Sequence, residues 1–211
     1  VLIHRSVWTT FVLIVTTFLF SKWSILKKIL NDKKKLFILF ISGFLIFINW
    51  GVWIYAVSVD KIIDASFGYF IMPIISVFLG NFFFKEPITK KGKISIFLVI
   101  ISVSYLLIID FNSIPWVGLI VALSWSFYNL FRKKINVETD IGLLIESLYI
   151  LPFVLVAFYF ISINNYNDFS LSNPSLMPLL MLAGPMTVIP LFLYVRGVEL
   201  AGLGPAGMIF Y

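Results

Sequence analysis

Seven long apolar stretches account for most of this 211-residue chain. Each is close to the length of about 20 residues that crosses the hydrocarbon core of a bilayer as an α-helix. Their apolarity is continuous rather than alternating, which favours helices over the strands of a membrane barrel. The sequence therefore predicts an all-α membrane protein, a polytopic helical bundle. The stretches are Val1–Phe20, Leu36–Val59, Ala65–Phe84, Ile94–Ile109, Ile114–Phe131, Ile141–Ile163 and Leu176–Val195.

The composition supports a membrane protein and excludes several soluble classes. Hydrophobic residues make up 61% of the chain and charged residues only 12%, whereas a soluble domain has about 45–50% apolar and about 25% charged residues. So little polar surface excludes a disordered chain and a nucleic-acid-binding domain. A secreted disulfide scaffold is excluded because the chain contains no cysteine.

The basic residues lie mainly in alternate connections between the apolar stretches. Fourteen of the sixteen lysines and arginines fall in one set of connections, and only Arg5 and Lys61 belong to the other set. By the positive-inside rule, the first set faces the cytoplasm. The cytoplasmic basic segments are then Lys22–Lys35, Lys85–Lys93, Arg132–Lys134 and Arg196.

The order of the apolar stretches indicates an internal repeat. A shift of 139 residues, which carries Tyr55 onto Tyr194, places Leu36–Val59 on residues 175–198. The two matched stretches cross the membrane in opposite directions, so the repeats are inverted, as in many secondary transporters.

The shift predicts two inverted repeats of five helices each. The first repeat covers residues 1–109 and lacks its first helix, and the second covers residues 110–211 and is cut within its third helix. Seven complete helices are therefore present, and Ala206–Tyr211 forms the first turns of an eighth.

Short motifs along the chain agree with this plan. They are Asn49–Val57, Asp64–Pro73, Leu79–Glu86, Phe127–Lys134 and Ile145–Ser147, together with His4-Arg5. These motifs resemble the RarD branch of the EamA transporters, in the drug/metabolite transporter superfamily. The resemblance implies ten helices in two inverted repeats, a multi-pass location in the bacterial inner membrane, and a role in moving small molecules.

One face of the third stretch is a candidate lining for a solute path. Ser66, Tyr69, Pro73, Ser76 and Gly80 follow each other at helical spacing. Small residues at such spacing also form packing seams between membrane helices, so that interpretation stays open. In the functional interpretation Pro73 interrupts the backbone hydrogen bonds near the midplane, while Ser66 and Tyr69 line the path.

Three further polar or aromatic residues are candidates for substrate contact. Asn49 and Trp53 lie four apart and share a helix face, and Asn49 either binds substrate or bonds a neighbouring helix. Tyr128 lies close to the basic end of its stretch and is either a gate residue or an interfacial one. The predicted substrate-binding set is therefore Asn49, Trp53, Ser66, Tyr69, Pro73 and Tyr128.

Glu146 is the only carboxylate inside an apolar stretch. Burial disfavours its charged form, so Glu146 is a candidate for taking up and releasing a proton during transport. The alternative is an ion pair with Arg132, Lys133 or Lys134 that only tethers the connection.

The sequence does not favour an enzyme. An aspartyl intramembrane protease needs two buried aspartates and a zinc site needs clustered ligands, and the apolar stretches contain neither. A retinal-binding receptor is excluded because Leu176–Val195 contains no lysine. We therefore predict no catalytic residue, no metal and no cofactor.

These observations favour a permease that moves a small organic solute, a drug or a metabolite, by alternating access, with export as the expected direction. The expected partners are that solute and membrane lipids, without nucleic acid, and a homodimer is left open. The alternative is a non-transporting membrane scaffold. A permease encloses a cavity with its polar and aromatic residues, whereas a scaffold closes them into a dry seam.

The inverted repeat predicts the topology of the complete gene product. One apolar helix should precede Val1, about one and a half should follow Tyr211, and both termini should be cytoplasmic. Reporter fusions to each terminus test this, and an external reporter at either end would contradict the inverted repeat. The 211-residue chain alone should not transport, because its eighth helix is incomplete.

Overall fold

A computed structural model describes residues 2–110, 115–164 and 176–209. These residues form nine helices and no strand, so the predicted all-α fold is confirmed. The helices are α1 (Leu2–Leu19), α2 (Trp23–Leu30), α3 (Lys33–Ser58), α4 (Ile62–Phe84), α5 (Lys90–Asp110), α6 (Trp116–Ile135), α7 (Thr139–Ile163), α8 (Leu176–Ala201) and α9 (Leu203–Met208).

The seven long helices correspond to the seven predicted apolar stretches. Within the described residues, six of them are long and apolar enough to cross a membrane, and α6 is the long helix outside that set. Polar residues at Ser124, Ser126 and Asn129 and a basic last turn make α6 less apolar than the others. None of the α5 residues from Lys90 to Ile109 is buried, as expected for a helix that faces lipid.

Two short helices refine the predicted boundaries. The basic connection Lys22–Lys35 contains α2, which buries Leu26 and Ile29. The predicted start of an eighth helix at Ala206 lies within α9, which begins three residues earlier at Leu203. Residues 114, 210 and 211, at the ends of two predicted segments, lie outside the described residues.

Packing divides the chain into two compact units. The first comprises Val1–Phe44 and Ile135–Arg196, and the second comprises Leu45–Lys134 and Gly197–Tyr211. Both α3 and α8 contribute residues to each unit. This division follows packing rather than chain order, and the sequence repeats 1–109 and 110–211 stay a prediction.

In the first unit, α1 packs along α7 and approaches α8 at a glycine. A Cβ at Gly184 would lie 2.6 Å from the carbonyl carbon of Trp8, so the two backbones can be this close only because Gly184 has no side chain.

Lys22 connects the end of α1 to the start of α7. Its ammonium donates to Glu138 at 2.9 Å and to Asp140 at 2.6 Å. Burial lowers the pKa of Lys22, but the bonds to Asp140 and Glu138 outweigh burial and leave the pKa raised. The ammonium therefore remains charged throughout the physiological pH range.

In the second unit, small and β-branched residues bring α3, α4 and α6 together. Ala56, Ala65, Val117 and Val121 form a fully buried cluster. Alanine and valine present little side-chain volume, which allows membrane helices to approach closely.

The crossing of α4 and α6 depends on two glycines. A methyl group on Gly68 would collide with the carbonyl oxygen of Gly118, and one on Gly118 would collide with the carbonyl oxygen of Asp64. The Asp64 carboxylate also accepts a hydrogen bond from the Gly118 amide at 3.2 Å, in the first turn of α6. Close backbone contact and a helix cap thus fix the same crossing.

Substitution of Gly118 tests this crossing. Gly118→Ala should destabilise the folded protein by about 1–3 kcal/mol, because the added methyl group meets backbone atoms that cannot turn away. Thermal unfolding of the complete gene product in detergent should show a lower Tm. Gly197→Ala is the matched control, since no atom lies within 4 Å of a Cβ at Gly197. An equal Tm for both variants would contradict the close crossing.

Candidate functional site

The predicted substrate-binding residues all lie in the second unit. Asn49 is 3% exposed and donates from Nδ2 to the Val121 carbonyl at 3.0 Å and to the Ser124 hydroxyl at 3.1 Å. These two bonds join α3 to α6 and use both amide protons. The amide nitrogen of Asn49 thus bonds a neighbouring helix, which is one of the two interpretations of this residue. Its carbonyl oxygen can still accept a hydrogen bond.

Trp53 and Tyr69 form an aromatic pair between α3 and α4. Their ring centroids are 5.4 Å apart at an interplanar angle of 74°, the edge-to-face geometry that aromatic quadrupoles favour. Both rings pack against the cluster that includes Ala56 and Ala65, yet both stay half-buried. Trp53 lies one turn after Asn49, as the sequence spacing predicted. We call Asn49, Trp53 and Tyr69 the polar–aromatic face.

The predicted stripe on α4 divides into two parts. Ser66 and Tyr69 are half-buried, whereas Pro73, Ser76 and Gly80 are buried. The buried part is covered by α9. The packing interpretation therefore accounts for the end of the stripe near Gly80, whereas Ser66 and Tyr69 are not covered to the same extent.

Gly207 of α9 makes the contact over the buried part of the stripe. A Cβ at Gly207 would lie 2.9 Å from the Cβ of Ser76 and 3.3 Å from the Cα of Pro73. The Ser76 hydroxyl is buried there, and in the described part of the chain it has no hydrogen-bond partner.

Pro73 does not end its helix, because α4 continues from Ile62 to Phe84 with Pro73 inside it. Proline has no amide hydrogen, so the Tyr69 carbonyl receives no helical bond from position 73. The adjacent Met72 carbonyl accepts a bond of 3.4 Å from the Ser126 hydroxyl on α6. The backbone around Pro73 is therefore supported from a neighbouring helix.

Tyr128 is fully buried, and its role as a gate residue or an interfacial residue stays a prediction. It lies one helical turn beyond Ser124, the α6 residue that accepts a bond from Asn49. Its ring centroid is 6.0 Å from that of Trp125. Tyr128 thus pairs with Trp125 on its own helix, and the Trp53–Tyr69 pair is formed by α3 and α4.

Glu146 lies in the first unit, on α7, with 2% of its surface exposed. The Ser42 hydroxyl of α3 donates to its Oε1 at 2.6 Å and also lies 3.1 Å from the Leu39 carbonyl. A Cβ at Gly43 would lie 3.1 Å from the Glu146 carbonyl oxygen, so α3 and α7 are in close contact here. Lys133 is one of the predicted ion-pair partners of Glu146. It forms an ion pair with Glu86 instead.

Arg5 is a half-buried cation on α1 that the sequence interpretation did not select as a site residue. Its Nε donates to the Thr187 hydroxyl at 2.9 Å, and that hydroxyl donates to the Ala183 carbonyl at 2.7 Å. Arg5 is the only basic residue inside an apolar stretch, which is the observation that would have identified it.

Glu86 is the second residue that the sequence interpretation did not select. It follows α4, and its carboxylate accepts bonds from the Leu203 and Gly204 amides at 2.9 Å each and from the Lys133 ammonium. Burial alone would raise the pKa of Glu86, but the bonds from Lys133 and the two amides outweigh burial and hold the pKa below its ordinary value. Glu86 is therefore ionised at neutral pH.

Two cavities have charged residues in their walls. One of about 400 Å³ in the first unit is lined by apolar residues of α1 and α8 with Lys22 and Asp140 among them. One of about 350 Å³ in the second unit contains Glu86, Val77 and Pro205 in its wall. Neither is lined by a predicted substrate residue. Among the described residues, no group of three potential metal ligands occurs.

The fold and the placement of polar groups define a multi-pass helical membrane protein with polar and ionised side chains buried between its helices, the class that includes the membrane transporters. The pattern of the EamA-like transporter family matches residues 2–108. The chain belongs to this family.

Individual relatives support a RarD-type member of the family. Protein RarD of Escherichia coli (strain K12) is 33% identical over the whole chain and 71% of its own length. An uncharacterized transporter of Vibrio cholerae is 31% identical over the whole chain and 70% of its own length. The uncharacterized transporter YojE of Bacillus subtilis is 32% identical over the whole chain and 71% of its own length. No solved structure matches the chain.

The comparisons bear on the predicted class of activity. The family and two of these relatives carry the name of transporters, and no catalytic family is indicated. The predicted RarD-type resemblance is confirmed. The individual substrate-binding residues and the proton-coupling role of Glu146 stay predictions.

Proposed function

We propose that the complete gene product exports a small organic solute across the bacterial inner membrane by alternating access between two inverted repeats. The observation that carries this proposal is the polar–aromatic face. There the half-buried rings of Trp53 and Tyr69 meet between α3 and α4, and the polar Asn49 lies one helical turn before Trp53 on α3. Polar groups are costly in a membrane, and their presence at one place favours a solute path.

The geometry of this face favours a solute that carries a ring and one hydrogen-bond donor. A flat apolar group can stack on or meet the edges of Trp53 and Tyr69. Both amide protons of Asn49 are already donated to α6, so the carbonyl oxygen is the group left for a solute. A hydrogen-bond donor on the solute would bind there. The ring pair would then select solutes that carry a ring, and the amide of Asn49 would orient the bound solute.

We further propose that Glu146 couples transport to protons. A hydroxyl carries a single proton, so Ser42 donates to Glu146 while the carboxylate is ionised. When Glu146 takes up a proton, it can donate to Ser42, and Ser42 can donate to the Leu39 carbonyl, which lies 3.1 Å away. Hydrogen bonding is thus satisfied in both protonation states, which lowers the cost of changing between them.

Transport is tested by comparing metabolite and drug efflux in cells with and without the complete gene. At least one ring-bearing solute should leave faster when the gene is present, and Tyr69→Ala should reduce that rate because half of the ring pair is lost. Tyr105→Ala is the matched control, since Tyr105 is 63% exposed on α5. No reproducible difference for any solute would contradict the proposal and favour the membrane scaffold.

Proton coupling is tested with Glu146→Gln, which keeps the size of the side chain but cannot ionise. The variant should still exchange solute but should not respond to an imposed pH gradient. Ser42→Ala should shift the pH profile of transport, because the carboxylate loses its donor. Asp60→Asn, at an exposed carboxylate, is the control and should behave as wild type. Proton-driven transport by Glu146→Gln would remove Glu146 from the mechanism.

A further inference from the structure

Glu86 joins three helices of the second unit at one carboxylate. Oε1 accepts from the Leu203 amide and from Lys133 near the end of α6, and Oε2 accepts from the Gly204 amide. The residue itself follows the last turn of α4. Bonds to an ionised acceptor are stronger than neutral ones, so this carboxylate is a strong polar link between α4, α6 and α9.

Two glycines leave space for the Glu86 carboxylate. A Cβ at Gly80 would lie 2.6 Å from Oε2, and a Cβ at Gly202 would lie 2.8 Å from Oε1. The carboxylate is therefore enclosed by backbone on both sides.

Gly202 also provides the turn between α8 and α9. It has φ +101° and ψ 167°, a region that essentially only glycine occupies. The chain thus changes direction at a residue that can take up a change of backbone angles, directly before the two amides that Glu86 binds.

The bonds to Glu86 determine where α9 lies on α4. From Gly204 the helix runs one turn to Gly207, which contacts Pro73 and Ser76. Pro73 is itself one turn from Tyr69, a member of the polar–aromatic face. The carboxylate therefore controls the helix that covers the part of α4 next to the candidate solute path.

We propose that Glu86 is a positioning residue for transport, which holds α9 on α4 and must release the Leu203 and Gly204 amides when α9 moves about Gly202 during the cycle. This inference rests on the proposed function. A carboxylate that only stabilised the fold would affect how often α9 leaves α4 without affecting the rate of transport by the folded protein.

The rate at which a thiol reagent labels a cysteine at position 206 measures how often α9 leaves α4. Ala206 is 3% exposed, and residues 1–211 contain no cysteine. Ala206→Cys therefore gives a specific label site in a complete gene product in which every cysteine outside these residues is replaced by serine. N-ethylmaleimide should label it slowly when Glu86 is present. Glu86→Gln should label at least about tenfold faster, the factor that corresponds to one lost bond to a charged group.

Variants of Lys133 separate the helix cap from the ion pair. Lys133→Met removes one of the three bonds and should accelerate labelling less than Glu86→Gln. The exchange of the two charges, Glu86→Lys with Lys133→Glu, restores an ion pair but leaves the two amides without an acceptor. It should therefore label as fast as Glu86→Gln, and a return to the wild-type rate would overturn the proposal.

The control is Glu138→Gln, another carboxylate that pairs with a lysine but makes no side-chain cap to its helix. Its labelling rate at position 206 should equal that of wild type. If Glu86→Gln fails to insert, Glu86→Asp takes its place, because it keeps the charge but is too short to hold both amides. Unchanged labelling in the inserted Glu86 variant would overturn the proposal.

Efflux by the same variants separates this inference from the proposed function. Faster labelling together with a changed efflux rate supports the role of Glu86 in the cycle. Faster labelling with an efflux rate equal to wild type would overturn that role and leave the proposed function intact. An absence of solute transport by the wild-type gene would overturn both.

Discussion

Close contact between helix backbones is the constraint on which this structure depends. In lipid, apolar side chains gain little by leaving one apolar surface for another, so helices associate through tight packing and polar bonds. Gly68 and Gly118 provide such a contact between α4 and α6, and Gly184 provides one between α8 and α1. The bond between Ser42 and Glu146 lies beside another such contact, where a Cβ at Gly43 would lie 3.1 Å from the Glu146 carbonyl oxygen.

The long helices could be predicted from sequence because a membrane fixes their length and requires continuous apolarity. Asn49 and Glu146 could also be selected, since a polar residue in an apolar stretch needs a reason to be there. Their partners could not be identified, because Ser124 and Ser42 are 75 and 104 residues distant in the chain. Only packing determines which helices become neighbours.

The stripe on α4 shows a second limit of sequence interpretation. Ser66, Tyr69, Pro73, Ser76 and Gly80 have one spacing and similar chemistry, yet only the last three are covered by α9. Nothing within α4 encodes where the covering helix begins. That position depends on Glu86, which lies outside every apolar stretch and resembles an ordinary connection residue until its bonds to Leu203 and Gly204 are known.

Lys22 has different partners at different times in the life of the protein. It precedes Glu138 by 116 residues, which corresponds to roughly 6–20 s of synthesis at typical ribosome speeds. During that interval neither Glu138 nor Asp140 has been made, and the ammonium contributes to the charge bias that orients the first helices. Once α7 is made, the same charge is neutralised by Glu138 and Asp140. A residue that contributes to insertion thus becomes a tie between two helices.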